Sequence, residues 1–285
     1  MEERIMWKQK IGISLAGKYP IPTADAVRML KEIGFDAVSP IWEAGMDITD
    51  TINAARQCGL IIQSLHAPFS KAADMWSRDK DISSAALKDL LDSLEVCEKF
   101  DIPVMVVHKW IGFEYDFCKE ELYFANFDEL ICAAKQKGIK IAFENTEGEE
   151  FLNALMEHFE NESQVGFCWD SGHELCYNHS KDLLKKYGEK LIMTHLNDNL
   201  GISRFDGSTY WTDDLHLLPY AGIADRDDNI ERLRRSNHQE ILNFELTTAS
   251  KPGRHDNDLY AKMSLEEYYS LAYSRACRIA YRYSK

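Results

Sequence analysis

Four short apolar segments in the second half of the chain each end in side chains that could bind a metal ion or move a proton. The segments end at Glu144, at Asp170 with His173, at His195 and at Glu245. An apolar run of this length between polar turns is typical of a strand that is buried on both faces. Mixed carboxylates and imidazoles suit zinc or manganese, whereas calcium and magnesium prefer oxygen alone. If the strands are neighbours, these residues predict one shared metal site.

Four more side chains of the same types lie near predicted strand ends and, with His173, extend the set formed by Glu144, Asp170, His195 and Glu245: His66, His108, Asp214 and His216. A single strand-end histidine is more often a neutral hydrogen-bonded side chain than a ligand. Asp170 with His173 also fits a helix N-cap, because D-S-G-H is a typical turn into a helix. A purely structural role is harder to assign to Glu144 and Glu245, since an unpaired carboxylate that ends an apolar strand is costly to bury. We therefore predict a metal site.

The elements that must position these side chains alternate between strand and helix. The predicted strands cover residues 10–15, 35–40, 60–68, 103–108, 139–145, 165–173, 191–198 and 241–246. The predicted helices cover residues 23–33, 48–58, 81–100, 120–137, 149–159, 181–187, 227–236 and 265–283. This alternation implies parallel strands with right-handed crossovers. Eight such units predict an α/β fold of the (β/α)8 TIM barrel type, as a single domain over residues 1–285, with the site at the carboxyl ends of its strands.

A doubly wound open sheet is the rival fold. It would usually carry a glycine-rich first turn, and S-L-A-G at 14–17 is not one.

Composition and charge narrow the classes of partner. The chain carries 33 Lys and Arg against 47 Asp and Glu, a net charge of −14, which disfavours tight binding to a phosphate backbone. Its seven cysteines contain no C-x-x-C pair, which is typical of free thiols in a reducing compartment. No signal peptide or membrane span is evident. We expect a cytoplasmic protein that does not bind membranes and that could form a homo-oligomer.

The motifs in order resemble the xylose isomerase-like TIM barrel superfamily, which contains sugar isomerases and epimerases and the endonuclease IV enzymes. The matching segments are L-H-A-P at 65–68, V-V-H at 106–108, F-E-N at 143–145, W-D-S-G-H at 169–173, H-L-N-D at 195–198, D-L-H-L-L-P at 214–219 and F-E-L at 244–246. Each segment is weak alone, but the ordered set is specific and covers nearly the whole chain.

Resemblance to the sugar epimerases implies one divalent metal ion, Zn²⁺ or Mn²⁺, that stabilises the enediolate of a sugar or sugar phosphate. The implied ligands are Glu144, Asp170, His195 and Glu245. Glu144 and Glu245 would exchange the proton as base and acid, and His173 would hydrogen-bond a substrate oxygen. We also expect Trp110 and Arg204 to contact the substrate. Arg204 lies in the long insertion 199–213, which could be a lid, a specificity loop or an oligomer contact.

Resemblance to endonuclease IV implies a different activity, the cleavage of abasic DNA by three zinc ions. The implied ligands are His66, His108, Glu144, Asp170, His173, His195, Asp214, His216 and Glu245. All nine positions carry suitable residue types, so up to three metal ions are possible. The acidic balance and the lack of a basic, aromatic-rich loop disfavour a nucleic-acid partner. We favour one metal ion and a small carbohydrate substrate. A non-catalytic barrel is disfavoured, because a scaffold has no use for a full ligand set.

Two local features bear on the substrate. Lys251 and Arg254 follow the eighth strand, where barrels often hold phosphate, although solvated surface charge is the more ordinary interpretation. Sugar epimerases of this group often carry P-G-x-G after the loop histidine, whereas this chain has Pro219-Tyr-Ala-Gly222. The conformation of that turn is therefore open at Tyr220.

Overall fold

The predicted apolar runs form parallel strands, and the segments between them form helices. The computed structural model describes residues 9–15 and 19–285, which build a (β/α)8 TIM barrel. Its strands are β1 Lys10–Ser14, β2 Ala37–Ser39, β3 Ile61–Ile62, β4 Leu65–His66, β5 Val104–His108, β6 Lys140–Glu144, β7 Val165–Asp170, β8 Leu191–His195 and β9 Ile241–Phe244. Its helices are α1 Thr23–Ile33, α2 Thr49–Gln57, α3 Lys80–Lys99, α4 Ala125–Lys137, α5 Glu149–His158, α6 Ser171–Cys176, α7 Leu183–Tyr187, α8 Arg226–Arg235 and α9 Leu265–Tyr283. The predicted fold class is confirmed.

Two parallel arcs of strands make up the barrel wall. One arc has the order β3-β2-β1-β9 and the other β4-β5-β6-β7-β8. Parallel bridges from Ile41 to His66 and from Leu196 to Phe244 join the arcs. The third predicted strand, 60–68, is divided into β3 and β4, because its first part pairs with β2 and its second part with β5. The barrel wall therefore has eight strand positions, one of which is shared by β3 and β4.

Alternation along the strands directs the chemical side chains inward. A small buried cluster of Val104, Val106, Ala142, Cys168 and Met193 is separate from the large core between strands and helices, and we assign it to the barrel interior. Successive side chains on a strand point to opposite faces. His108, Glu144 and Asp170 each follow a member of this interior cluster by two residues on β5, β6 and β7. They therefore point to the barrel axis, at its mouth.

The bounds of the eight predicted helices match the structure to within two residues, except at the start of the fourth. Helix α4 ends at Gly138, whose φ of 68° is left-handed and suits glycine, as predicted. It begins at Ala125 rather than at residue 120, because Lys119–Glu121 forms a separate 3-10 turn. Residues 171–173, predicted as the end of the sixth strand, instead begin the short helix α6. Asp170 caps this helix by accepting a hydrogen bond from His173 N, which confirms the N-cap interpretation of D-S-G-H. Over residues 9–15 and 19–285, no helix is long and apolar enough to cross a membrane.

Candidate active site

The floor of the barrel mouth holds four of the predicted ligands on neighbouring strands. Glu144, Asp170 and His195 end β6, β7 and β8, and Glu245 follows β9. His195 Nδ1 lies 2.9 Å from Glu144 Oε1 and 2.8 Å from Glu245 Oε2. Ligand atoms from all four residues lie within 4.8 Å of one another. The parallel register accounts for this convergence, since Asp170 is paired directly with His195.

Two further histidines face the same glutamate from the other side. His66 Nε2 and His108 Nε2 lie 3.5 Å and 3.2 Å from Glu144 Oε2. His66 ends β4 and His108 ends β5, so both belong to the strands that precede β6 around the barrel. Together with Glu144 they form a second group whose ligand atoms lie within 4.8 Å.

The remaining three predicted ligands complete one continuous cluster. His173 Nδ1 lies 3.5 Å from Glu144 Oε1, and His173 Nε2 lies 3.4 Å from Asp214 Oδ1. His216 Nε2 lies 2.8 Å from the same Asp214 oxygen. His216 adopts a left-handed φ of 46°, a conformation that costs on the order of 1 kcal/mol or more in a residue other than glycine. Such strain commonly occurs at functional sites, where the surrounding structure holds it in place.

Three buried atoms of this cluster have no hydrogen-bond partner among the described residues: Glu144 Oε2, His173 Nδ1 and Asp214 Oδ1. The imidazoles near them lie at contact distance without the orientation of a hydrogen bond. Buried polar atoms are nearly always satisfied, and converging oxygen and nitrogen lone pairs are what a divalent cation binds. The residues present therefore fit a metal ion.

The pKa values in this cluster reflect the close packing of buried carboxylates and imidazoles. Burial raises the pKa of Asp170 to about 6. Burial alone would lower the pKa of His173, but the charges of Asp170 and Asp214 raise it to about 10. Burial would likewise lower the pKa of His216, and the charge of Asp214 raises it to about 9. His173 and His216 thus hold protons whose charge balances the buried carboxylates, and a bound cation could supply the same positive charge.

A hydrogen bond from outside the ligand set orients Asp170. Asn197 Nδ2 donates to Asp170 Oδ2 over 2.8 Å. Its backbone is held by Ser171, whose Oγ accepts from Asn197 N over 3.0 Å and donates to Asn197 O over 2.7 Å. The Asn197 amide also packs directly over Gly172. Such supporting contacts set the orientation of a metal ligand.

A cavity of about 450 Å³ opens above the cluster. Its apolar wall consists of Phe69, Ile111, Phe113, Tyr177 and Trp211. Trp211 comes from the segment that follows β8, and so does Tyr210, whose ring centroid lies 5.4 Å from that of Phe113. This segment is attached to the barrel through Thr209, whose hydroxyl donates to Cys176 O over 2.6 Å. The segment therefore forms part of the cavity rim.

The three predicted substrate contacts occupy different places. His173 lines the cavity. Trp110 does not, because its ring stacks on Phe151 with centroids 4.0 Å apart and its Nε1 donates to Gly112 O. Arg204 is exposed, and its guanidinium lies 4.5 Å from the centroid of the Tyr210 ring. The structure brings only His173 of these three to the metal-type cluster.

Two cavity residues were not among the predicted site residues. Glu147 and Tyr177 both line the cavity, but they follow a strand and a short helix in irregular segments, where periodicity gives no direction. Of the two basic residues after β9, Lys251 lines the cavity with Nζ 3.1 Å from Asp214 Oδ2. Arg254 instead contacts Asp213 and Asp256.

The turn at Tyr220 keeps a left-handed conformation although it lacks glycine. Tyr220 has a φ of 70°. Its ring packs between the guanidinium groups of Arg226 and Arg278, each 4.4 Å from the ring centroid. These cation–π contacts offset part of the conformational strain. At Gly222, an added Cβ would lie 2.2 Å from Asn199 O, so this position admits only glycine.

Comparison with known proteins assigns the family. Residues 27–267 match the family model described as a xylose isomerase-like TIM barrel. The chain belongs to this family. The chain is also 27% identical over 259 residues to the uncharacterized protein y4fM of Sinorhizobium fredii (strain NBRC 101917 / NGR234), a match that covers 83% of this chain and 75% of that protein.

Solved structures share the xylose isomerase-like TIM barrel over nearly the whole chain. The IolI protein with a bound zinc atom has a TM-score of 0.74 at 19% identity, covering 96% of this chain and 99% of that one. L-ribulose 3-epimerase has a TM-score of 0.70 at 12% identity, covering 97% of this chain and 96% of that one. At these identities the likeness establishes the fold.

Proposed function

We propose that this chain is a sugar isomerase or epimerase that uses one divalent metal ion, Zn²⁺ or Mn²⁺, and moves a proton at the carbon beside a carbonyl. One observation carries the proposal. Glu144 and Glu245 come from β6 and from the end of β9, and both contact His195 Nδ1 beneath a cavity with aromatic walls. Two carboxylates that face one small volume can serve as the base and the acid of a proton transfer.

The proposed ligands of the metal ion are Glu144, Asp170, His195 and Glu245, supported by their mutual distances. A bound divalent cation would polarise the substrate carbonyl and make the adjacent C–H more acidic.

Glu144, Glu245 and His173 are suited to different roles in the proton transfer. Glu245 leaves 25% of its side chain exposed, while Glu144 is fully buried, so Glu245 is better placed to reach a substrate carbon. Burial alone would raise the pKa of Glu245, but the charge and the hydrogen bond of His195 lower it to about 2. Glu245 is therefore ionised, as a group that accepts a proton must be. His173, whose Nδ1 has no hydrogen-bond partner among the described residues, can donate to a substrate oxygen.

The solved structures support the proposal through what their names state. L-ribulose 3-epimerase and D-psicose 3-epimerase share this barrel, and the structure of IolI contains a zinc atom. Those properties belong to those proteins. For this chain they support a small carbohydrate as substrate, in agreement with the aromatic wall, since aromatic faces pack well against the apolar face of a sugar.

A second function is favoured by one specific observation, the convergence of all nine ligand-type side chains that an endonuclease IV-like site requires. The second candidate is accordingly a multi-zinc phosphodiesterase acting on abasic DNA, with up to three metal ions. The net charge of −14 opposes it, because duplex binding depends on phosphate neutralisation.

Deuterium exchange tests the first proposal. Metal-loaded protein incubated with ketoses and aldoses in deuterated water should incorporate deuterium at carbon, detected by mass spectrometry and NMR. Glu144→Gln and Glu245→Gln should abolish exchange with unchanged circular dichroism. Glu150→Gln, a change of the same kind on the exposed start of α5, should leave exchange intact. No exchange with any sugar would refute the proposal. Cleavage of an abasic oligonucleotide that is lost in Glu245→Gln would establish the second function instead.

A further inference from the structure

Glu147 places a carboxylate in the cavity wall outside the predicted metal ligands. It lines the cavity and is 8% exposed. Its Oε1 accepts a hydrogen bond from Gly112 N over 2.9 Å. Among residues 9–15 and 19–285, no donor pairs with Oε2 and no cation forms a salt bridge with the carboxylate. One oxygen is therefore fixed by the backbone, and the other is available to a bound molecule.

A buried lysine holds the Glu147 backbone in place from behind. Lys109 is fully buried, and its Nζ donates to Thr146 Oγ1 over 2.6 Å and to Glu147 O over 2.8 Å. Lys109 does not line the cavity, whereas Thr146 and Glu147 do. A molecule in the cavity therefore meets the carboxylate, while the ammonium group stays behind it.

Apart from the histidines and the proposed metal ligands, the cavity lining offers little positive charge to an anion. The carboxylates in the lining are Glu144, Glu147, Asp214 and Glu245. Lys251 is the one lining residue with a permanent positive charge among those the structure describes, and its Nζ is already 3.1 Å from Asp214 Oδ2. Arg254, the other basic residue after β9, is engaged by Asp213 and Asp256. Neither basic side chain after β9 is therefore free to bind a phosphate group.

We propose that Glu147 selects a neutral, unphosphorylated sugar by accepting hydrogen bonds from its hydroxyl groups and by repelling phosphate esters. This inference rests on the proposed isomerase or epimerase function and names its substrate class. A carboxylate hydrogen-bonds hydroxyl donors strongly. At a separation of several ångströms and the screening typical of protein sites, its repulsion of a phosphate dianion changes relative binding by about tenfold or more.

Paired substrates test the selection directly. The probes are D-fructose with D-fructose 6-phosphate and D-ribulose with D-ribulose 5-phosphate, compared by kcat/KM for deuterium incorporation. The wild-type protein should favour each neutral sugar over its ester by at least about tenfold. Glu147→Gln keeps the shape and the acceptor for Gly112 N, so it should raise KM for the neutral sugar severalfold with little change in kcat. It should also reduce the preference against the ester by about tenfold.

Glu150→Gln is the matched control, because it removes the same charge three residues away and outside the cavity lining. Equal or better turnover of the esters by the wild-type protein would overturn the inference. The inference would also be overturned if Glu147→Gln and Glu150→Gln showed the same preference for neutral sugars over their phosphate esters.

A binding measurement separates this inference from the proposed activity. Xylitol should raise the thermal unfolding midpoint of the metal-loaded wild-type protein more than xylitol 5-phosphate does, and Glu147→Gln should bring the two shifts closer together. If no sugar undergoes exchange but this difference is present, the proposed activity fails and the selection stands. If xylitol gives no shift, or the phosphate ester gives the larger one in the wild-type protein, the selection fails.

Discussion

Replacement of Gly172 by alanine should weaken metal binding without unfolding the protein. Gly172 lies in the first turn of α6, between Asp170 and His173. A Cβ at this position would lie 1.9 Å from Oδ1 and 2.9 Å from Cγ of Asn197. The Asn197 backbone cannot retreat easily, because Ser171 Oγ bonds both its N–H and its carbonyl. The Asn197 side chain must therefore rotate, which breaks its hydrogen bond to Asp170.

The expected loss of metal affinity follows from the hydrogen bond that is broken. The bond from Asn197 Nδ2 to Asp170 Oδ2 is 2.8 Å long and buried, and a hydrogen bond to a charged group contributes about 1.5–3 kcal/mol. If that energy orients the ligand, its loss should weaken metal affinity by roughly 10- to 100-fold, the range found for partners of metal ligands. Alanine has a helix propensity about 1 kcal/mol more favourable than that of glycine, and this contribution stabilises the folded state of the variant.

Zinc competition against a chromophoric chelator measures this affinity, and a double-mutant cycle tests the cause. If Gly172→Ala acts through the amide, adding it to Asn197→Ala should cause little further loss. Circular dichroism of both variants should match the wild-type protein. The reasoning is refuted if Gly172→Ala binds zinc as tightly as the wild-type protein, or if the two losses add in full.

Three further outcomes are expected. Protein purified without chelators should retain zinc or manganese at close to one ion per chain by elemental analysis, whereas about three would support the nuclease-like site. In metal-free protein, the pKa values of His173 (about 10) and His216 (about 9) exceed the unfolded value of 6.5, so the stability from these protons is complete below pH 6.5. That stability is lost as pH rises through 9 and 10, and a flat profile of thermal midpoints under chelation would contradict the assignment. Tyr220 has a φ of 70°, which glycine adopts more readily than alanine, so the free energy of unfolding measured in urea should be about 1 kcal/mol higher for Tyr220→Gly than for Tyr220→Ala. The reverse order would show that the turn is unstrained.

The sequence by itself determined the barrel and the cluster of metal-type side chains at its mouth. Strand periodicity is a local property, so the alternation along β5, β6 and β7 could be followed to His108, Glu144 and Asp170 without a structure. The boundaries of α9, Leu265–Tyr283, also agree with prediction, because Ser264 and Glu267 form a capping box in the adjacent sequence. The ligand roles themselves stay predictions, which metal analysis will test.

Only the tertiary structure decided which side chains outside the strands face the cavity. Glu147 faces it, whereas Trp110 is held away by the Phe151 ring. The contact between Gly172 and Asn197 likewise joins two segments that no local pattern relates. Loop side chains take their direction from packing and hydrogen bonds with residues far away in the chain, and such partners have no fixed spacing in the sequence. The strand ends were therefore predictable as a metal-type cluster, but the position of Glu147 in the cavity wall was not.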